Sequence, residues 1–208
     1  MKFPSWQVFD WAFFPWEIRR MFSVMRKMRS LNLSKVDDNY LVDYFGYTIR
    51  LERPHAIGLV NGFDQWEEFC LPIDVTGKTV LDIGCGCGET IAFYLGHGAK
   101  KVVGVEVDSE AAMFARVNAI ENKWNAEIIN EPFELGHLEI NHDLLKIDIG
   151  GAEQILMGYG KDLGPCTIRT YKLGMYDLPK FLALKFRQLR MVYGDPKKSV
   201  ILNGTYWI

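Results

Sequence analysis

The chain has 208 residues, 49% of them hydrophobic and 24% charged, with a formal net charge of −2. That length suits one well-cored domain with a modest extension. The composition is that of a soluble protein, and no run of about 18 apolar residues is present to cross a membrane. The aromatic N-terminus is broken by Pro4, Asp10 and Pro15 and lacks a small-residue cleavage site, so no signal peptide is expected. Cys70, Cys85, Cys87 and Cys166 form neither a disulfide framework nor a CxxC pair, so a reducing, cytoplasmic location is expected.

The charge is segregated. Residues 1–35 carry seven basic and two acidic side chains, residues 161–208 nine and three, and the middle is strongly acidic. Basic ends can pack on an acidic core, or they can form a surface for an anionic substrate such as RNA. Residues 17–31 place Ile18, Met21, Phe22, Met25, Met28 and Leu31 on one stripe, which predicts an amphipathic basic helix. Tyr44 to Leu51 alternates loosely and suits a short hairpin or cap, and Trp66 to Phe69 suits a helix entering Pro72. These segments are assigned to an N-terminal extension, residues 1–75, ahead of a main domain over 76–208.

From Thr76 onward strand and helix patterns alternate. Strands are expected at 79–84, 101–107, 126–130, 143–149 and 166–172, and helices at 88–97, 109–122 and 178–189. Two final strands flank Asp195-Pro196-Lys197-Lys198 as an antiparallel pair. The pattern predicts an α/β, doubly wound, Rossmann-like sheet. Its first strand runs into VLDIGCGCGET, where Asp82 is followed by Gly84, Gly86 and Gly88. Glycines there admit positive φ and let a ligand lie on the main chain, ahead of a helix N-terminus that favours an anionic group. The spacing is not the G-x-G-x-x-G of a dinucleotide fold.

That run resembles motif I of the class I S-adenosylmethionine (SAM) methyltransferases. The next strand, KVVGVEVD, ends in Glu106 and Asp108, and Glu106 lies 24 residues after Asp82, where a carboxylate grips a ribose diol in a doubly wound fold. The resemblance implies SAM as cofactor, a seven-stranded sheet with one reversed strand, and a cofactor site drawn from Asp82, Gly84, Cys85, Gly86, Gly88, Glu106, Val107 and Asp108. Asn130 and Glu131, ending the third strand, are expected on the adenine side. Cys85 and Cys87 are taken as small buried side chains, and no metal site is expected, the four histidines being scattered.

Asp143 to Glu153 reads DLLKIDIGGAE. The segment resembles the LKIDxEGAE element of the FkbM-type methyltransferases, which O-methylate sugars and related hydroxyls. The likeness spans roughly residues 45–160, with Gly150 standing where that family has glutamate. It implies a small-molecule acceptor. Asp148 is the first candidate for base or substrate positioner, with Glu153 behind it as a functional carboxylate or a helix N-terminal dipole partner. His142 is a third candidate or a turn cap. Two alternatives stand beside this reading. An RNA methyltransferase fits the basic ends, and residues 98–123 resemble archaeal tRNA guanine methyltransferases, although no N/D-P-P-[FY] motif follows the fourth strand. A SAM-binding protein without activity fits Gly150. The acceptor atom and the oligomeric state are not expressed in the sequence.

Overall fold

The computed structural model describes residues 25–62, 66–150, 152–171, 185–186, 189–195 and 199–204. Its main sheet is built on three apolar runs: β4 (Thr79–Ile83), β5 (Lys101–Val105) and β7 (Leu144–Ile147). Nearly every side chain of the three is buried, the signature of parallel strands covered on both faces. With β6 (Ala126–Ile129), β8 (Cys166–Tyr171), β9 (Leu189–Asp195) and β10 (Ser199–Gly204) they form a sheet ordered β6-β5-β4-β7-β8-β10-β9. The first five strands pair in parallel, and β10 runs antiparallel to both neighbours. Because β5 lies on one side of β4 and β7 on the other, a crevice opens at the carboxyl ends of these strands.

Alternation along the strands separates two cores. Val80, Val102 and Leu144 join the core beneath α4 (Glu89–Gly96) and α5 (Ser109–Glu121). Leu81, Ile83, Val103, Val105, Leu145 and Ile147 join the other, with Leu138 and Leu156. Each such fully buried aliphatic side chain contributes on the order of 1.5–3 kcal/mol.

A second sheet, β1 (Ser34–Val36), β2 (Asn39–Tyr44) and β3 (Tyr47–Leu51), is antiparallel throughout, and β3 is its edge. Its Val42, Ile49 and Leu51 are fully buried in the same core as Ile91, Phe93 and Tyr94 of α4. The boundary expected at residues 75/76 is thus spanned by one continuous core. The free edge of β3 is satisfied by helix α5. Asn118 Oδ1 accepts from Arg50 N at 2.8 Å and its Nδ2 donates to Arg50 O at 2.8 Å, and Asn122 makes the same pair with Thr48 at 3.2 and 2.9 Å. Four residues of helix rise about 6 Å and two of strand about 6.6 Å. Carboxamides four apart on α5 therefore match alternate residues of β3 and close an edge that would otherwise invite pairing.

Asn118 also donates to Cys87 O at 2.9 Å from a fully buried position. Asn118→Ala leaves polar groups of two segments without this partner, so a loss of about 2–4 kcal/mol is expected by urea denaturation. A variant within about 0.5 kcal/mol of the parent would show that these bonds are readily replaced.

Helices α2 (Arg53–Gly62) and α3 (Trp66–Cys70) follow β3. Of the basic helix expected over 17–31, residues 25–30 (α1) are helical and residues 1–24 lie outside the described residues. The helix expected over 178–189 also falls outside them apart from Lys185, Phe186 and Leu189, and Leu189 already belongs to β9. Among the described residues no helix is long and apolar enough to cross a membrane.

Candidate functional site

The crevice holds a cavity of about 590 Å³, within the range of small-molecule sites. Its floor is the loop joining β4 to α4. Gly84, Gly86 and Gly88 have φ of +80°, +57° and +92°, a region that glycine alone enters without strain. A Cβ on Gly84 would stand 2.0 Å from the carbonyl oxygen of Asp148, and one on Gly86 would stand 2.6 Å from the His55 ring. Gly84 is therefore required by the passage of β4 against the end of β7, and Gly86 by the approach of α2.

Glu106 stands beside this loop. Its Oε2 accepts from Gly86 N and its Oε1 from Asp108 N, both at 2.9 Å. A carboxylate oxygen has a second lone pair, so Glu106 can still receive hydroxyls from the cavity it lines. Asn130 Nδ2 donates to Glu106 O at 2.8 Å and Val107 O at 3.3 Å and so fixes this strand end from the third strand.

Of the residues expected at the site, Gly84, Gly86, Glu106 and Asp148 line the cavity together. The others are placed differently. Asp82 is fully buried behind the loop, 2.8 Å from Lys146 Nζ and hydrogen bonded by Thr90, because it faces Lys146 across the β4–β7 register. Cys85 is buried against Gly104, whose missing side chain makes room for its sulfur. Gly88 starts α4 under the Trp124 ring. Asp108 caps α5, its Oδ1 accepting from Glu110 N and Ala111 N at 2.9 and 3.0 Å, the usual role of an aspartate before a helix. Val107 is exposed, and Glu131 lies at the surface with Oε2 3.5 Å from His137 Nε2. Glu153 is fully buried, with Oε1 accepting from Ile149 N at 3.3 Å, so it ties down the turn after β7 instead of facing the cavity. His142 Nδ1 lies 2.6 Å from Ile140 O in the turn before β7.

The cavity also has walls that the sequence did not disclose. Lys146 Nζ donates to Gly84 O at 2.6 Å while pairing with Asp82, so one buried ammonium joins β7 to the glycine loop. Burial draws that ammonium down, but the Asp82 and Asp148 carboxylates outweigh it and hold Lys146 above its ordinary value. A charged residue inside an otherwise apolar parallel strand was the available signal. Arg169 of β8 places NH1 3.5 Å from Asp148 Oδ2. His55, Leu59 and Trp66 from α2 and α3 line another side of the cavity, and His55 Nδ1 lies 2.7 Å from Glu89 Oε1. The Cys87 and Glu89 hydrogen bonds push the His55 imidazolium up to about 11.

The residues present fit SAM: a glycine cradle that side chains would fill, a carboxylate at the second strand end and a polar strand end at β7. Fold and site together have the arrangement of the class I SAM-dependent methyltransferase fold.

Comparison with known proteins finds the same fold among methyltransferases. Residues 67–149 match the family described as Ribosomal protein L11 methyltransferase (PrmA). A Ribosomal protein L11 methyltransferase of Escherichia coli is 31% identical over 132 residues, 63% of this chain and 42% of that protein, so the match spans less than half the relative's length. Among solved structures, M. jannaschii TYW2 in complex with AdoMet has a TM-score of 0.56 at 16% identity, covering 83% of this chain and 87% of that one. The M. jannaschii tRNA m1G37 methyltransferase has a TM-score of 0.55 at 14% identity, covering 83% and 58%. At these identities the structures speak for the fold alone. The matching family model differs from the FkbM-type family that the motifs resemble.

Proposed function

We propose that this chain transfers a methyl group from SAM to a hydroxyl of a small acceptor, a sugar or a hydroxylated metabolite. The observation that carries this reading is Asp148 on the wall of a cavity lined on another side by α2 and α3, beside Arg169. Gly84, Gly86 and Glu106 would hold the cofactor. Bound there, SAM supplies a methyl group on a sulfonium sulfur, which leaves with the bonding electron pair when a nucleophile takes the methyl. Asp148 orients the acceptor hydroxyl and accepts its proton, and Arg169 holds that carboxylate in place. Trp66 and Leu59 keep water from the side they line. Lys146 fixes the carbonyl of Gly84 and with it the floor of the site. The FkbM-like motif order around Asp148 supports the hydroxyl acceptor, and four free cysteines suit a reducing cytoplasm.

The test is transfer of labelled methyl from SAM to a panel of sugars and hydroxylated metabolites. Asp148→Asn is expected to lower kcat by about 10²–10⁴-fold while calorimetry shows SAM affinity unchanged. Unaltered turnover in that variant would remove Asp148 from the chemistry.

A second reading, a macromolecular acceptor, rests on the similarity to ribosomal protein methyltransferases and on the basic chain ends. It predicts methylation of protein or RNA in the same assay, and for RNA a binding constant that falls steeply with salt.

A further inference from the structure

Glu52, His55 and Cys87 bring a carboxylate, an imidazole and a thiol to one place, with one donor atom of each within 4.8 Å of the others. They come from three sites in the chain: the residue after β3, the first turn of α2, and the glycine loop. Cys87 Sγ lies 3.8 Å from Glu52 Oε2. Glu89 stands behind the ring, its Oε1 2.7 Å from His55 Nδ1, as carboxylates stand behind metal-bound imidazoles to set their orientation. The other oxygen of Glu89 is buried and has no hydrogen-bond partner among the described residues. Cys87 is fully buried, whereas the His55 side chain is 27% exposed, which leaves a route for an ion from solvent.

We propose that this cluster is a binding site for a divalent zinc-type cation, held by Glu52, His55 and Cys87. Mixed sulfur, nitrogen and oxygen donors suit Zn²⁺ and disfavour Mg²⁺ and Ca²⁺, which take oxygen alone. Tetrahedral zinc with bonds of 2.0–2.3 Å sets its donors about 3.5 Å apart, so the cluster needs only a small contraction. The cation would staple the start of α2 to the cofactor loop, fixing that side of the cavity against its floor. This assignment goes beyond the methyl-transfer reading and does not depend on it.

The experiment uses the full chain, stripped by chelator and titrated with Co²⁺ as a spectroscopic stand-in for zinc. One equivalent is expected to bind with a thiolate-to-cobalt charge-transfer band that Zn²⁺ displaces. Cys87→Ser should abolish the band and Cys85→Ser retain it, with circular dichroism confirming the fold of each. Glu89→Gln should weaken binding by about 10–100-fold. Should Cys87→Ser not fold, Glu52→Gln reads the same site, again as weakened binding. Absence of the band in the parent chain, or its survival in folded Cys87→Ser, overturns the proposal and leaves a hydrogen-bonded thiol–imidazole network. SAM calorimetry on the same samples keeps the two readings apart. SAM binding without a cobalt band sinks the cation site alone, and a cobalt band without SAM binding sinks the methyltransferase reading alone.

Discussion

Gly84→Ala is expected to destabilise the chain by about 3 kcal/mol or more, a fall of roughly 6–12 °C in Tm for a domain of this size. Two effects add. The φ of +80° costs an alanine about 1–2 kcal/mol. The new methyl would also meet the carbonyl oxygen and carbon of Asp148 at 2.0 and 2.9 Å, and these are backbone atoms that cannot rotate away. Relief requires β4 to part from β7, yet Asp148 N–H donates to Ile83 O at 2.9 Å and Gly84 N–H to Val105 O at 2.7 Å. Gly150→Ala is the matched control. Its φ is +68° but nothing lies within 4 Å of the added carbon, so only the backbone strain of about 1–2 kcal/mol is expected. Equal melting temperatures for the two variants would show that the close passage of β4 and β7 is not rigid. The same control bears on the glutamate of the FkbM-type motif, since a Cβ at 150 meets a left-handed backbone but no neighbour within 4 Å.

The second large effect concerns Lys146. Lys146→Met leaves Asp82 fully buried without its cation, a change that costs about 3–5 kcal/mol in comparable buried pairs. Replacing both, as Asp82→Leu with Lys146→Met, removes the isolated charge and is expected to recover much of that stability. The double variant should still bind SAM less well, because Gly84 O loses its donor. The pH dependence follows from the direction of the shift. A lysine held above its ordinary value contributes stability that is fully present below the unfolded-state value and is lost only as pH rises through the folded one. Burial already holds the Asp82 carboxyl above its ordinary value and loss of the ammonium raises it further, so the penalty of Lys146→Met is expected to grow as pH rises from neutral to about pH 9. Chemical denaturation across that range checks it, and a single variant as stable as the parent would mean that Asp82 is satisfied by other means.

β4, β5 and β7 were legible because each is an apolar run too short for a helix and followed by glycine or acidic residues. The glycine loop and Glu106 were legible for the same local reason. The role of Asp82 was not. Alternation assigns a side chain to a face, but only the register of β4 against β7 reveals that Lys146 stands opposite it. Asp108 shows a similar limit, since an acidic strand end and a helix cap have one sequence signature, and here the cap is formed. His55 and Arg169 lie 27 residues before Asp82 and 21 after Asp148, and they reach the site only through the packing of α2 and the pairing of β8 with β7. No spacing rule carries information over such intervals.

The carboxamide of Asn118 has one more consequence. The amide hydrogen of Arg50 is held by the same side chain that holds the carbonyl of Cys87. Exchange of that hydrogen with deuterium requires Asn118 to let go, and with it one anchor of the glycine loop. A single backbone amide on the outer strand of the small sheet thus serves as a clock for openings of the cofactor floor.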